Sequence, residues 1–501
     1  MRASSKPVIA ILALLPLAGC QQEQAGRMEM ATADVVMTMP VTTSSEEAMQ
    51  DFMRGQHAMD MGRRTEEANA HFRQAVEKDP QFCMAYLRIA NTAQSPEEFR
   101  TNLETAAGLA EGASEAERLL VDIAQKGLEN NVQGQLQSAE RLVEIESASP
   151  RAWLALAGVQ ATLGQNVESR AAMTRATELA PELVPAYVQL ANSYLFLDPK
   201  DFTRAEEYAQ RAVELAPGEP MPHDMLGDVY RAQNELEQAR DAYTRAAELD
   251  PTNGSPLQQR GHVNSFLGNY DEARADYDAA IALGTPNEQA SYAVYRAHVS
   301  VYAGDPQAAI DELNEHLQAI DGMNVPNARG AKIFALSTAA FIALHHRMFE
   351  VTEHALQQEA ALRMELADEF GTDRVRRFQL GVMALNEGWL AAFRGDYATA
   401  SAKAQEYMEL VEPDQNPRKH EPAHDLLGQI ELLQGNHEAA LAHFEQGVPT
   451  DIYMTYMKAV AHEGAGNAEQ ARELYETVAR YNFNNVGYAL VRADAIAKIS
   501  G

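Results

Sequence analysis

The sequence predicts an all-α fold, a solenoid of paired helices, on three observations. Gly227, Ala239, Tyr243, Ala246 and Pro251 recur as Gly261, Ala273, Tyr277, Ala280 and Thr285, each 34 residues further on. A small residue, then Ala, an aromatic, Ala and a helix stop at that period is the mark of a helix-turn-helix repeat. Good helix formers, Ala, Leu, Glu, Gln and Arg, run throughout. No segment alternates apolar and polar residues between turn signals as a strand would.

On these residues the chain resembles the tetratricopeptide repeat (TPR) family. Leu226 and Gly227 match the small pair of the first helix, Tyr230 follows a turn later, and Ala239, Tyr243 and Ala246 share one face of the second. The resemblance implies a right-handed superhelix whose core is a strip buried between neighbouring repeats, so 501 residues need not divide into globular domains.

The elements follow in order. Arg2 and Lys6 precede the apolar run Val8–Leu15, which reads as an export signal too short to span a bilayer. Leu17-Ala18-Gly19-Cys20 resembles the lipobox of bacterial lipoproteins. That resemblance implies a signal peptide over 1–19, Cys20 as the acylated first residue of the mature protein, and, from Gln21, sorting to the outer membrane facing the periplasm. Several acyl chains anchor lastingly where one binds marginally. Residues 20–43 read as a flexible tether, whose Met28, Met30, Met37 and Met39 have no imidazole nearby to make a soft-metal site.

Ser44, Ser45, Glu46 and Glu47 cap the start of an N-terminal array over 44–325. Gly55, Gly62, Ala68, Phe72, Ala75 and Pro80 form the first repeat, with one extra residue at Arg63-Arg64. Periodicity stays helical but irregular over 95–150. Regular units return at Trp153, and Asp198-Pro199-Lys200 is an insertion in a turn. Asp321-Gly322-Met323-Asn324-Val325-Pro326 disfavours helix and reads as the break between two segments. A C-terminal array over 326–501 opens with two long helices, 328–345 and 349–370, continues through Gly388, Gly428, Phe444, Ala459 and Tyr475, and ends in a capping helix over 485–499.

Formal charge is −31, and residues 1–19 contribute only Arg2 and Lys6, so the remainder carries −33. A body of that sign repels phosphate backbones, which excludes nucleic acid as a partner. Cys20 and Cys83 are the two cysteines. With Cys20 given to the anchor no disulfide framework exists, and Cys83, in an apolar helical run, reads as a small buried hydrophobe.

No phosphate loop, nucleophile elbow or cysteine pair with ligand spacing occurs, so neither catalysis nor a cofactor is expected. His420-Glu421-Pro422-Ala423-His424 matches the zincin pattern of a zinc metalloprotease, but Pro417 and Pro422 place the helix start near Pro422, leaving His420 outside it. His345, His346, Glu350, Glu353 and His354 straddle a turn and expose as naturally as they ligate.

TPR resemblance implies instead a partner-binding concave face lined by the first helix of each pair. Carried over, that face holds Gln189, Asn192, Phe196, Asp224, Asp228, Arg231, Gln258, His262, Phe266, Tyr295, His298 and Tyr302. Aromatics would anchor a protein or peptide, and the carboxylates would select Lys or Arg. Related proteins clamp a C-terminal carboxylate through Lys, Arg and Asn at several such positions, to which only Asn192 corresponds here, so a basic segment fits better. The expectation is a non-catalytic, lipid-anchored scaffold of the bacterial cell envelope; aromatic groove residues also permit a polysaccharide ligand.

Overall fold

The computed structural model describes residues 41–500 apart from 63, 64, 94, 130, 415 and 417. The signal segment, Cys20, most of the tether, the Arg63-Arg64 insertion and Pro417 lie outside the described residues.

Twenty-five α-helices follow one another, with no strand among the described residues. They are α1 (Glu46–Asp60), α2 (Thr65–Lys78), α3 (Cys83–Asn91), α4 (Pro96–Leu109), α5 (Glu115–Leu128), α6 (Val132–Ile145), α7 (Pro150–Thr162), α8 (Asn166–Leu179), α9 (Val184–Phe196), α10 (Phe202–Leu215), α11 (Pro220–Ala232), α12 (Leu236–Leu249) and α13 (Gly254–Leu267). Then come α14 (Tyr270–Leu283), α15 (Pro286–Tyr302), α16 (Pro306–Ala319), α17 (Ala328–His345), α18 (Phe349–Phe370), α19 (Asp373–Arg394), α20 (Tyr397–Val411), α21 (Glu421–Leu433), α22 (His437–Phe444), α23 (Ile452–Gly464), α24 (Ala468–Ala479) and α25 (Val486–Ser500). None is long and apolar enough to cross a membrane. Contacts gather these helices into two compact units that part between Arg260 and Gly261, inside α13.

Helix starts are written in the side chains. Ser45, Ser95, Ser149, Asp201, Asp305 and Thr372 each accept from a free first-turn amide. Ser114 with Glu117, and Thr285 with Glu288, form reciprocal capping boxes.

Inside each unit an odd-numbered helix packs on the even one that follows. The 34-residue signature has a steric cause. Tyr243 is fully buried with its ring edge over Gly227, where an added Cβ would lie 2.6 Å from it; Tyr277 covers Gly261 in the same way at 3.1 Å. The aromatic of the second helix thus needs a bare backbone on the first, and Ala239, Ala246, Ala273 and Ala280, all at 0% exposure, let the helices approach.

The irregular stretch is helical too, with α3 cut to nine residues and a 3-10 turn, Ala110–Gly112, before α5. Cys83 is buried and its thiol donates to the Ala106 carbonyl at 3.2 Å; burial, then the Glu117 charge, pushes the thiol up to about 11. The insertion at 198–200 is held by the Arg170 guanidinium, which donates to the carbonyls of Ser193 (2.7 Å), Leu197 (2.7 Å) and Pro199 (2.9 Å). Asp321–Pro326 lies within the second unit, where Ile320 and Val325 are buried among Ala290, Leu317 and Ala328. Its turn residues are compatible with packing because two apolar side chains flank them.

Several odd-numbered helices also touch the next odd-numbered one, as α9 does α11, α15 does α17 and α19 does α21. Among the described residues even-numbered helices make no comparable contacts with one another. A row whose members crowd together lies on the inside of a curve, so in each unit the odd helices form the inner layer.

Candidate functional site

Every residue expected on the partner-binding face sits on an odd helix, and the division at 260/261 assigns Gln189 to Gln258 to the first unit and His262 to Tyr302 to the second. In the first unit α9 carries Gln189 and Asn192, both half-buried, and Phe196, which is 40% exposed. Helix α11 carries Asp224, Asp228 and Arg231. The guanidinium of Arg231 donates to Asp228 (2.6 Å) and to Gln259 Oε1 (2.7 Å), and the Tyr243 hydroxyl donates to the same Asp228 oxygen (2.7 Å). Asp228 is therefore satisfied. Asp224, one turn earlier and only 3% exposed, has no hydrogen-bond partner on either oxygen among the described residues. Burial, reinforced by the Asp228 carboxylate, pushes its carboxyl well above the usual carboxylate range. The Gln189 amide nitrogen is likewise buried without a partner. Gln258, on α13, is buried.

The end of α1 folds onto the same inner layer. Arg151, at the start of α7, donates to both Asp60 oxygens in an ion pair whose two side chains are each 9% exposed. Gln56 donates to Asp60 as well (2.8 Å). Arg88 lies close by, and burial first, then the Arg151 charge, lowers it to about 10. Gly62 passes so near α11 that a Cβ there would meet Met221 Cβ at 2.5 Å.

The second unit assembles a different chemistry from His262, Phe266, Tyr295, His298 and Tyr302. His262, Phe266 and His298 are buried, Tyr295 and Tyr302 half-buried. Tyr295 packs edge-on against both imidazoles, with ring centroids 5.2 and 5.7 Å away. Three residues that sequence reasoning did not assign to the site complete it: Tyr277, counted there only as a repeat aromatic, and Asn484 and Tyr488 at the entrance to α25. Asn484 bonds to His262, Tyr277, His298 and Tyr302. Tyr488 packs edge-on against Phe266 and Tyr302. Burial brings His298 down to about 4, so it is neutral, with its Nε2 buried and unpartnered.

The zincin-like residues diverge. His420 sits at the cap before α21 and turns to Glu412 (3.1 Å), Glu421 pairs with Arg418, and His424 faces His443 with Nδ1 atoms 3.1 Å apart. His345 bonds to the Tyr453 hydroxyl (2.9 Å), His354 to Gln358 (2.7 Å), and Glu353 to Arg394 (2.8 Å). Among the described residues no group of three or more His, Cys, Asp or Glu is arranged to hold a metal ion.

Sequence comparison finds tetratricopeptide repeat models at 220–253, 260–324 and 422–446. No curated protein matches the chain. Among solved structures, MamA from Desulfovibrio magneticus RS-1 is 18% identical, the match covering 34% of this chain and 95% of that one with a TM-score of 0.30. YrrB, described as a TPR protein with an unusual peptide-binding site, is 17% identical over 39% of this chain and 96% of its own, at 0.29. The APC/C hetero-tetramer Cut9-Hcn1 is 15% identical over 90% of this chain and 76% of its own, at 0.41. By its repeats and by its stacked helix pairs, the chain is an all-α tetratricopeptide repeat solenoid.

Proposed function

We propose that this protein is a non-catalytic scaffold, tethered to a bacterial envelope membrane through Cys20, that holds a protein or peptide partner against the inner layer of its repeat array. The observation that carries the reading is Asp224. A buried carboxyl with both oxygens unsatisfied costs about 1–3 kcal/mol, more if charged. A donor-rich partner group would recover that cost. An arginine or lysine of a basic segment supplies the donors and the charge, and the net charge of −31 draws such a segment in. Gln189, on α9, has a buried amide nitrogen without a partner, and Asn192 and Phe196 extend the surface along that helix. Asp228, Arg231 and Gln258 hold the floor, and His262, Phe266, Tyr295, His298 and Tyr302 make the corresponding face of the second unit.

Leu17-Ala18-Gly19-Cys20 supports the anchor, and Gln21 supports the outer membrane, with the repeats in the periplasm. Two experiments test this reading. Cys20→Ala should shift the protein from the membrane to the soluble fraction; retention on membranes would place the anchor elsewhere. Proximity crosslinking in the protein's own cells identifies the partner, and Asp224→Asn with Asp228→Asn should then lower its capture at low salt. Unchanged capture would remove the first unit's inner layer from the account.

A further inference from the structure

A primary amide has two N–H donors and two acceptor lone pairs, and a site that reads it must supply two of each. The second unit does this for Asn484. Its Nδ2 lies 2.9 Å from His262 Nδ1 and 3.3 Å from the Tyr277 hydroxyl, and its Oδ1 lies 2.9 Å from the Tyr302 hydroxyl and 3.3 Å from His298 Nδ1. The partners settle the tautomers. Tyr277 also bonds to His262 Nδ1, so its hydroxyl donates to that unprotonated nitrogen, which Asn484 Nδ2 shares, while the Tyr277 oxygen accepts from Asn484. Facing a carbonyl oxygen, His298 Nδ1 carries the proton. No formal charge takes part. A carboxylate in the same place would turn a lone pair toward His262 Nδ1, and an ammonium would turn hydrogens toward the Tyr302 and His298 donors.

Asn484 holds this position in a way that lets it leave. It lies in the non-helical link between α24 and α25 and is half-buried, whereas its neighbours are fixed independently. Asn482 is fully buried and accepts from the Tyr488 hydroxyl (3.0 Å), and Asn485 caps α25 by accepting from the Tyr488 amide (2.8 Å). Rotating the Asn484 side chain out would expose its four partners and leave α25 docked. An incoming carboxamide would restore the same four hydrogen bonds, so the exchange is nearly balanced.

The geometry points to a carboxamide-reading subsite at His262, Tyr277, His298 and Tyr302, kept filled by the chain's own Asn484 until a partner peptide presents an Asn or Gln side chain in its place. This rests on the reading of the inner layer as the partner-binding face and names what the second unit recognises there. The first unit takes a charged group, the second a neutral amide.

Small-molecule rescue tests the subsite directly in the full chain. Asn484→Ala should lower the unfolding temperature, and acetamide at about 100 mM should restore part of that loss while acetate at the same concentration should not; the unsubstituted chain should respond to neither beyond its general solvent effect. A short synthetic peptide with one central Asn should bind the Asn484→Ala chain at least tenfold more tightly than the unsubstituted chain, and its Asp counterpart should show no such gain. Equal action of acetamide and acetate, or equal binding of the two peptides, would overturn the proposal. If Asn484→Ala does not fold, Tyr302→Phe in the otherwise native chain keeps the ring packing and removes one donor; it should weaken the Asn peptide about tenfold and leave the Asp peptide unchanged, and equal effects would count against the subsite. Asp224→Asn run in parallel separates the two readings. Lost partner capture with no amide discrimination retains the scaffold and removes the subsite, whereas amide discrimination with unaltered capture does the reverse.

Discussion

The two units fold by one rule and close their inner layers by opposite means. In the first, the end of α1 is tied to α7 by charge, Asp60 against Arg151 with Arg88 beside them. In the second, the link before α25 is tied to α13 and α15 by neutral hydrogen bonds through Asn484. Both ties join positions far apart in the chain, and both reach odd helices, α1 and α7 in the first unit and α13 and α15 in the second. The lesson is that the repeat specifies the stack, while single residues outside the repeat pattern decide what each inner layer can recognise. An ionic inner layer leaves Asp224 seeking a donor. An amide-and-imidazole layer leaves Asn484 fully satisfied.

Breaking the ionic tie should have the largest effect. Asp60→Ala leaves two guanidinium groups without their carboxylate, and removing one partner of a buried pair costs about 3–5 kcal/mol. Chemical unfolding followed by hydrogen exchange should show that loss in α1, α3 and α7, with α19–α24 unchanged. A loss below about 1 kcal/mol would mean that the pair does not close the first unit.

Acidity should sharpen the contrast next. Burial holds His298 down to about 4, well below its ordinary 6.5. Its contribution is present above pH 6.5 and is lost as pH falls through 4, because the unfolded chain takes up the proton first; a shift of that size is worth about 3 kcal/mol. Asp425, buried on α21 and accepting from the Val448 amide at 3.2 Å, runs the other way. Burial raises it to about 7, so its contribution is complete below pH 4 and is lost as pH rises through 7. Asp425→Asn should therefore flatten the exchange of α21 across pH 4–7 while α15 still loosens toward pH 4. Parallel pH profiles for the two helices, with or without the substitution, would contradict these assignments.

A smaller effect compares the same repeat position in both units. A methyl on Gly227 would meet Tyr243 at 2.6 Å, and one on Gly261 would meet Tyr277 at 3.1 Å. Overpacking of the first kind costs about 1–3 kcal/mol, so Gly227→Ala should lower the unfolding temperature clearly more than Gly261→Ala. The reverse order would mean that the aromatic ring, and not the glycine, yields at α11. Least of all, Ser45→Ala should cost about 1 kcal/mol by freeing the amide of Ala48 at the head of the first unit.

Much of the architecture was legible because it is local and periodic. The two long helices read from sequence at 328–345 and 349–370 carry the boundaries of α17 and α18, and the Gly–aromatic spacing found its cause in Tyr243 over Gly227. Odd-helix placement of the candidate partner residues was equally visible, since it follows from repeat phase. Burial was not. Nothing in the phase says that His262, Phe266 and His298 lie under residues some two hundred positions later, because Asn484 and Tyr488 belong to no repeat and carry no periodic signal. Unit division was hidden for a related reason: Arg260 and Gly261 sit inside a regular helix, whereas the Gly, Asn and Pro cluster at 321–326 is stitched into a small core by Ile320 and Val325.

The most direct test places a photocrosslinking amino acid at two exposed or half-exposed sites of the first unit in living cells, Asn192 on the inner layer and Arg175 on the outer helix α8. The account predicts a discrete adduct from Asn192 that disappears when Asp224→Asn is added, and none from Arg175. An adduct from Arg175 alone, or one from Asn192 indifferent to Asp224, would contradict the inner layer as the place where the partner is held.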